Sequence, residues 1–249
     1  MQNPSYSSIV AKFYDAFLGD SYEDIDTLKA LIKEETKSIL ELAVGTGRML
    51  IPLLQAGYTI DGLDNSQDML NIAKEKIDSL KLTSHLYNED MTSFDIKKKY
   101  DLVFIGGGSF MVVDVIGGEK ALHCIKNHLN NNGELLLDLF IPWDDIQNKS
   151  SNAMNLVRDS KIKDERCLVY ESFSIDIHEQ RKYGTYKYEY YKNNKLKEVE
   201  VNQLDLKWYY EDEIVALLQK VGFSNVEVIK NNPSYIKNES FIVRAENNN

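Results

Sequence analysis

A glycine-containing turn is the first feature of this sequence that could carry chemistry. Gly45-Thr46-Gly47 follows an apolar run at 38–44 and precedes a helix predicted at 48–56. Glycines in a strand-to-helix turn can adopt positive φ and let the backbone approach a bound ligand closely. A dinucleotide fingerprint would need a third glycine where the chain has Leu50, and the Gly-Lys-Ser/Thr of a Walker loop is absent.

Polar residues also follow the later predicted strands. These segments are Asp64-Asn65-Ser66, Glu89-Asp90-Met91 and Gly106-Gly107-Gly108-Ser109. A carboxylate can accept hydrogen bonds from both hydroxyls of a diol, so Asp64 could bind a ligand that carries a diol. The alternative is a charge that only favours the start of the next helix. Asp90 could likewise accept a hydrogen bond from an amino group of a ligand, or belong to an ordinary acidic loop.

The elements that position these residues alternate between strand and helix. Strands are predicted at 38–44, 58–63, 84–88, 100–105, 134–140, 224–230 and 239–245, helices at 22–36, 48–56, 67–80, 119–129 and 211–221, and a turn at 130–133. This alternation predicts an α/β fold, with a doubly wound, Rossmann-like and mostly parallel sheet of about seven strands. Ligands of such sheets bind at the carboxyl ends of the strands, where the polar segments lie.

The pattern changes to period two after the fifth strand. Alternating residues from Cys167 to Trp208 predict an antiparallel β insertion, with a hairpin turn at 193–195. Tyr186, Tyr188 and Tyr190 share one face of a predicted strand, which could be a pocket wall, an exposed face or a subunit contact. We interpret residues 1–249 as a single domain, with an N-terminal helical cap at 1–37, a core at 38–141 and 208–246, and the insertion at 142–207 as a lid.

Composition excludes several classes of protein. The 249 residues contain 29 Lys and Arg against 39 Asp and Glu, a net charge of −10, which disfavours a phosphate-binding nucleic-acid surface. No apolar run approaches the roughly 20 residues that span a bilayer, and no secretory signal is recognised. Cys124 and Cys167 show neither metal-ligand spacing nor a disulfide framework. We therefore expect a cytoplasmic protein with no metal and no membrane partner.

The glycine segment carries a family resemblance. Glu41-Leu42-Ala43-Val44-Gly45-Thr46-Gly47 resembles the first motif of class I S-adenosylmethionine-dependent methyltransferases, an acidic residue at a strand end followed by a small-x-Gly-x-Gly loop. Ala43 stands where glycine is commonest in the family. The segments at Asp64, at Asp90 and after Ile105 match the family's later cofactor-binding positions at strand ends, in the expected order. The resemblance implies S-adenosyl-L-methionine as cofactor and S-adenosyl-L-homocysteine as product.

The resemblance also implies roles for individual residues. Asp64 would bind the ribose, Asp90 and Met91 the adenine, and Gly106 would lie beside the methionine part. Asn65 is a further candidate cofactor contact. Glu41 would hold the amino end of the cofactor or only organise the loop. Arg48 is a helix-start residue or a contact. The candidate cofactor contacts are Tyr14, Glu41, Ala43, Gly45, Gly47, Arg48, Asp64, Asn65, Asp90, Met91 and Gly106.

The β insertion after the fifth strand resembles small-molecule N-methyltransferases of the glycine N-methyltransferase-like and aminosugar N-methyltransferase-like groups. In those enzymes an N-terminal aromatic residue closes over the cofactor, and Tyr14 is the candidate here. The alternative is a helix face packed on the core. His178 could be a general base, because imidazole titrates near neutrality, or a surface residue. Ser109 is placed for substrate contact, so the candidate catalytic residues are Tyr14, Ser109 and His178.

The function expected from these features is S-adenosylmethionine-dependent methyl transfer to an amine or hydroxyl of a small molecule. Methylation of RNA or protein is an alternative within the same fold, although the acidic balance counts against RNA. The Asp/Asn-Pro-Pro-Tyr-like tetrapeptide of DNA amino-methyltransferases is absent, since the matching loop reads Gly106-Gly107-Gly108-Ser109. A non-catalytic S-adenosylmethionine-binding module is the third alternative. A homodimer is left open.

Overall fold

The computed structural model describes residues 8–18, 23–148, 150–230 and 240–248. The chain divides into two compact units, each made of segments that are distant in sequence. We call residues 1–21 and 142–207 the insertion unit, and residues 22–141 and 208–249 the core unit.

Strands and α-helices are numbered in chain order. The strands of the described residues are β1 Ile39–Leu42, β2 Ile60–Asp64, β3 Leu86–Asn88, β4 Tyr100–Ile105, β5 Leu129–Phe140, β6 Ser150–Ile162, β7 Glu165–Asp176, β8 Arg181–Lys192, β9 Lys195–Lys207, β10 Ser224–Ile229 and β11 Ser240–Asn247. The helices are α1 Ser8–Leu18, α2 Glu23–Leu31, α3 Leu50–Gln55, α4 Gln67–Ser79, α5 Val115–His128, α6 Trp143–Asn148 and α7 Glu211–Val221.

The core unit is built on a seven-stranded sheet in the order β10-β11-β5-β4-β1-β2-β3. Strands β1 to β5 are parallel to one another, and β11 is antiparallel to both β5 and β10. Every residue of β1 and β2 is buried, as expected for strands covered by helices on both faces. The carboxyl ends of β4, β1 and β2 are therefore neighbours. The predicted α/β fold is confirmed.

Strand β5 starts earlier than predicted. It begins at Leu129, where the sequence analysis predicted a turn at 130–133 before a strand. The register with β4 shifts here, because Tyr100 pairs with Leu129 while Leu102 pairs with Glu134. The Asn-rich segment is thus an irregularity within the strand rather than a turn.

Helix α5 also starts earlier than predicted, at Val115 instead of 119. Asp114 caps it, since its Oδ1 accepts the Gly117 amide at 2.6 Å. The adjacent glycines at 117 and 118 weaken the helical pattern in the sequence, although a good cap precedes them.

The insertion unit contains a four-stranded sheet in the order β6-β7-β8-β9, antiparallel throughout. Asn193 and Asn194, with φ of 52° and 56°, connect β8 to β9, so the predicted hairpin is confirmed. Strand β6 was not predicted, because most of its side chains are exposed and no apolar alternation marks it. The predicted antiparallel insertion after the fifth strand is also confirmed.

Helix α1 covers the tyrosine face of this sheet. Phe13 is fully buried, and its ring lies 6.0 Å from the ring of Tyr190. The Tyr190 hydroxyl donates to Glu165 at 2.7 Å. The tyrosine face is thus half-buried under α1, which corrects the interpretation as an exposed face. The interpretations as a pocket wall or a subunit contact stay predictions. The cluster comprises Ile9, Phe13, Cys167 and Val169, with Phe17, Ile162, Tyr186, Tyr188 and Tyr190 packed against it.

Candidate functional site

The loop between β1 and α3 has a backbone that favours glycine at three positions. The φ angle is +55° at both Ala43 and Gly45, and +79° at Gly47. Ala43 therefore carries a side chain in the left-handed region, which costs an L-residue steric strain. The Val44 amide donates to the Leu63 carbonyl at 3.0 Å, which fixes the loop against β2.

Two features favour glycine at position 47: its positive φ and the close approach of neighbouring side chains. A Cβ on Gly47 would lie 3.2 Å from Ile51 Cδ1 and 3.5 Å from the Cβ of Ala73. These residues belong to α3 and α4, so this glycine lets two helices pack against the loop. The role of Gly47 as a cofactor contact stays a prediction.

Asp64, the last residue of β2, joins the glycine loop to the start of α4. Its Oδ2 accepts the Gly45 amide at 2.8 Å, and its Oδ1 accepts the Ser66 amide at 2.8 Å. Burial raises the pKa of this carboxyl, while the backbone amides oppose the rise. The Asn65 amide also hydrogen-bonds this carboxylate. A carboxylate offers about four lone-pair sites, so a ligand hydroxyl can be added to these three contacts. Asn65, the neighbouring candidate, is exposed.

Glu41 is a buried acid on β1 and is 4% exposed. The Leu50 amide hydrogen-bonds its carboxyl group, but Oε2 has no hydrogen-bond partner among the described residues. Burial raises the pKa of Glu41 well above its ordinary value, and the Arg48 guanidinium opposes the rise. Buried polar atoms are normally paired, so this oxygen points to a donor supplied by a ligand.

Arg48 connects the start of α3 to α2. Its guanidinium contacts Asp24 at two points, with Nη1 3.0 Å from Oδ1 and Nη2 bonded to Oδ2. Such a two-point contact fixes the geometry of both side chains. Arg48 therefore holds α2 beside the glycine loop, and its role as a cofactor contact stays a prediction.

Asp90 and Met91 lie beyond the carboxyl end of β3. Asp90 is exposed, and its Oδ1 accepts both the amide and the hydroxyl of Thr92, at 2.8 and 2.7 Å. Met91 is half-buried. The Glu89 amide donates to the Asp64 carbonyl at 3.2 Å, which brings this loop to the end of β2. The predicted adenine contacts thus adjoin the predicted ribose contact.

The loop after β4 contacts Asp138 of β5, which was not predicted from the sequence as a site residue. The Gly107 amide donates to Asp138 Oδ2 at 2.9 Å. A Cβ on Gly106 would lie 2.5 Å from Met49 Sδ, so that side chain would have to move to admit one. Ser109 is half-buried and begins a short 3₁₀ helix. An acidic residue near the end of a parallel strand was the signal that could have identified Asp138.

A cleft adjoins this loop within the core unit. Two carboxylates, of Asp24 and Asp138, lie among otherwise largely apolar walls. The cleft therefore provides an apolar surface with a few polar groups, as is common in small-molecule sites. Its lining consists of Asp24, Leu28, Met49, Phe104, Ile105, Gly106, Leu136, Asp138 and Ile242.

Two candidate residues lie in the insertion unit. Tyr14 is half-buried in α1, and His178 is exposed in the turn between β7 and β8. Their predicted roles stay predictions. Within the described segments, no three His, Cys, Asp or Glu side chains are grouped so that they could hold a metal ion. No helix in those segments combines the length and hydropathy needed to cross a membrane.

Residues 39–133 match the family model for a methyltransferase domain. This span begins at β1 and contains the glycine loop, Asp64, Asp90 and Gly106. An uncharacterized methyltransferase of Bacillus mycoides (strain KBAB4) is 35% identical over 82 residues, which are 33% of this chain and 36% of the relative. The chain spans about two fifths of the length of the curated relatives it matches.

Solved structures resemble the chain over nearly its whole length. An S-adenosylmethionine-dependent methyltransferase from Clostridium acetobutylicum ATCC 824 has a TM-score of 0.76 and 18% identity, covering 96% of this chain and 97% of that one. A sugar N-methyltransferase from Streptoalloteichus sp ATCC 53650 has a TM-score of 0.73 and 17% identity, covering 93% and 90%. The fold is thus that of class I S-adenosylmethionine-dependent methyltransferases, as the resemblance implied. Within this fold, residues 39–133 are the segment that is similar to a methyltransferase domain.

Proposed function

We propose that this protein is an S-adenosylmethionine-dependent methyltransferase acting on an amine or hydroxyl of a small molecule. The observation that carries the proposal is the Asp64 carboxylate, which binds the Gly45 amide across the carboxyl ends of β1 and β2. The buried Glu41 Oε2, which has no hydrogen-bond partner in the described part of the chain, belongs to the same loop system. Together they offer an acceptor for a ribose diol and an acceptor for a cationic amino group, and S-adenosylmethionine carries both.

S-adenosylmethionine, when bound, supplies a methyl group activated on a sulfonium and leaves as S-adenosylhomocysteine. The chain's own task is to bind the cofactor, align the acceptor, exclude water and keep the acceptor atom unprotonated. The residues that would hold the cofactor are Glu41, Ala43, Gly45, Gly47, Arg48, Asp64, Asn65, Asp90, Met91 and Gly106, with Tyr14 as an aromatic cap.

A small-molecule acceptor is supported by the likeness to a sugar N-methyltransferase and by the acidic balance of −10, which disfavours nucleic acid. Ser109 and Tyr14 are candidates for contacting the acceptor. His178 is the candidate general base that would accept the acceptor's proton. RNA or protein methylation and non-catalytic binding remain the competing functions.

Two measurements test the proposal. Isothermal titration should give saturable binding of both S-adenosylmethionine and S-adenosylhomocysteine, and absence of binding would overturn the cofactor assignment. Transfer of radiolabelled methyl groups should then be measured on amino sugars, small amines, small hydroxyl compounds, RNA and protein. Label on RNA or protein alone would contradict the small-molecule acceptor. Binding without label on any acceptor would favour the binding module.

A further inference from the structure

Glu41 presents an energetic problem in the unliganded protein. Its carboxyl group is almost completely buried, and Oε2 has no hydrogen-bond partner among the described residues. An ionised carboxylate in that setting is strongly disfavoured, because burial removes water from both oxygens and, among the described residues, gives Oε2 no partner in its place. Binding a proton removes the charge and most of the cost.

The charged groups around Glu41 do not remove the problem. They are Arg48 from the segment before α3, Asp24 from α2 and Asp64 from β2. Arg48 is held in a two-point contact by Asp24, so these three groups carry a net charge of −1 when ionised. An ionised Glu41 would therefore add a second unit of negative charge to the cluster.

We propose that the Glu41 carboxyl group holds a proton in the unliganded protein and releases it when the cationic amino end of the cofactor binds beside it. The inference rests on the proposed function. The O–H bond of Glu41 breaks, the proton passes to solvent, and the ligand's ammonium keeps its own protons. A carboxylate–ammonium pair then replaces a neutral acid. The burial that raises the pKa of Glu41 supports the first half of this exchange.

The exchange predicts a specific dependence on pH. A ligand that binds only the ionised form of Glu41 must displace a proton wherever the free protein is protonated. Cofactor affinity should therefore rise as pH rises, by up to about tenfold per pH unit, and level off once Glu41 is ionised in the free protein. A site without this coupling would bind with constant affinity while the ligand's amino group stays charged.

Calorimetry can count the released protons. S-adenosylhomocysteine is titrated into the protein in buffers of different ionisation enthalpy at one pH, and the series is repeated over roughly pH 5 to 8. Wild type should release up to one proton per ligand, with the amount falling as pH rises. Glu41→Gln has nearly the same shape but cannot ionise, so it should bind without releasing the proton, at a nearly constant affinity.

A second ligand separates Glu41 from Asp64, whose pKa is also raised by burial. Methylthioadenosine keeps the adenine and ribose but lacks the amino-acid end. It should bind wild type with no proton release, whereas equal release with both ligands would assign the proton to the ribose side and overturn the inference. This ligand pair needs no variant, so the test stands even if Glu41→Gln fails to fold.

The outcomes distinguish the inference from the proposed function. Binding of S-adenosylhomocysteine without proton release over the whole pH series overturns the inference and leaves the proposed function intact. The same holds if folded Glu41→Gln releases as many protons as wild type. If wild type binds neither S-adenosylmethionine nor S-adenosylhomocysteine, the proposed function fails and this inference fails with it.

Discussion

Asp64 holds the glycine loop in place and is also the predicted ribose contact, so its replacement should have two separable effects. We expect Asp64→Ala to weaken S-adenosylhomocysteine binding by about 1.5–3 kcal/mol, because a charge-assisted hydrogen bond to the diol is lost. The free energy of unfolding should fall by about 1–3 kcal/mol, since the Gly45 and Ser66 amides lose their acceptor. Calorimetry measures the first effect, and urea unfolding of the unliganded protein measures the second.

Asp68→Ala is the matched control, because Asp68 is an exposed carboxylate in the first turn of α4. It should change each quantity by less than about 0.5 kcal/mol. If Asp64→Ala folds and binds S-adenosylhomocysteine like wild type, Asp64 has no ribose role. If its free energy of unfolding is unchanged, the loop contacts contribute nothing measurable.

Glu41 should make the stability of the unliganded protein depend on pH. Its pKa is raised in the folded state from an ordinary value of 4.5, so its stabilising contribution is intact below that value. This contribution is lost as pH rises through the folded-state pKa. Glu41→Gln lacks the dependence, and its advantage in Tm over wild type should grow above about pH 4.5 and then level off. Thermal unfolding at several pH values would show this, and a constant difference in Tm would contradict it.

At the scale of helices and strands, the sequence predicted elements whose signals are local. The bounds of β4 and α7 agree with the prediction, and α7 ends at Gly222, whose φ is +96°. Strand β6 was missed because its pairing with β7 defines it, while its own sequence shows no apolar alternation. The start of β5 was missed because it depends on the register with β4.

The same distinction, between local sequence signals and features that depend on tertiary packing, applies to the candidate site. Glu41, Gly45, Asp64 and Asp90 could be identified from their places at strand ends. Two features could not be predicted: the hydrogen bond from Gly45 to Asp64, and the lack of a partner for Glu41 Oε2 among the described residues. Both depend on how separate segments pack together. The packing of α1 on the tyrosine face joins segments more than 150 positions apart, and no local periodicity encodes it.

The packing of α1 on the insertion sheet can be tested at Phe13, which is fully buried against Tyr190. We expect Phe13→Ala to lower the free energy of unfolding by about 3–5 kcal/mol, because it leaves a cavity in the cluster. Unfolding followed by circular dichroism measures the change. Asp15→Ala is the control, since Asp15 is exposed on the same helix. Equal effects of the two substitutions would contradict the packing of α1.

At the scale of the whole molecule, the candidate residues fall into two groups. Nearly all candidate cofactor contacts, from Glu41 to Gly106, lie in the core unit. Tyr14 and His178 lie in the insertion unit, although Ser109 belongs to the core unit. The two units therefore allow cofactor binding and methyl transfer to be tested separately.

A variant that joins residues 22–141 to 208–249 through a short glycine-serine linker makes that test. The variant omits α1 together with the insertion, because Ile9 and Phe13 pack on the insertion sheet and would otherwise be exposed. Once circular dichroism has confirmed folding, S-adenosylhomocysteine should still raise its Tm, since ligands that bind only the folded state stabilise it. Methyl transfer should be lost, because Tyr14 and His178 are gone and the acceptor is no longer oriented. A folded variant that transfers methyl groups at a near wild-type rate would show that the insertion unit is dispensable for the acceptor. A folded variant whose Tm does not respond to S-adenosylhomocysteine would show that cofactor binding needs both units.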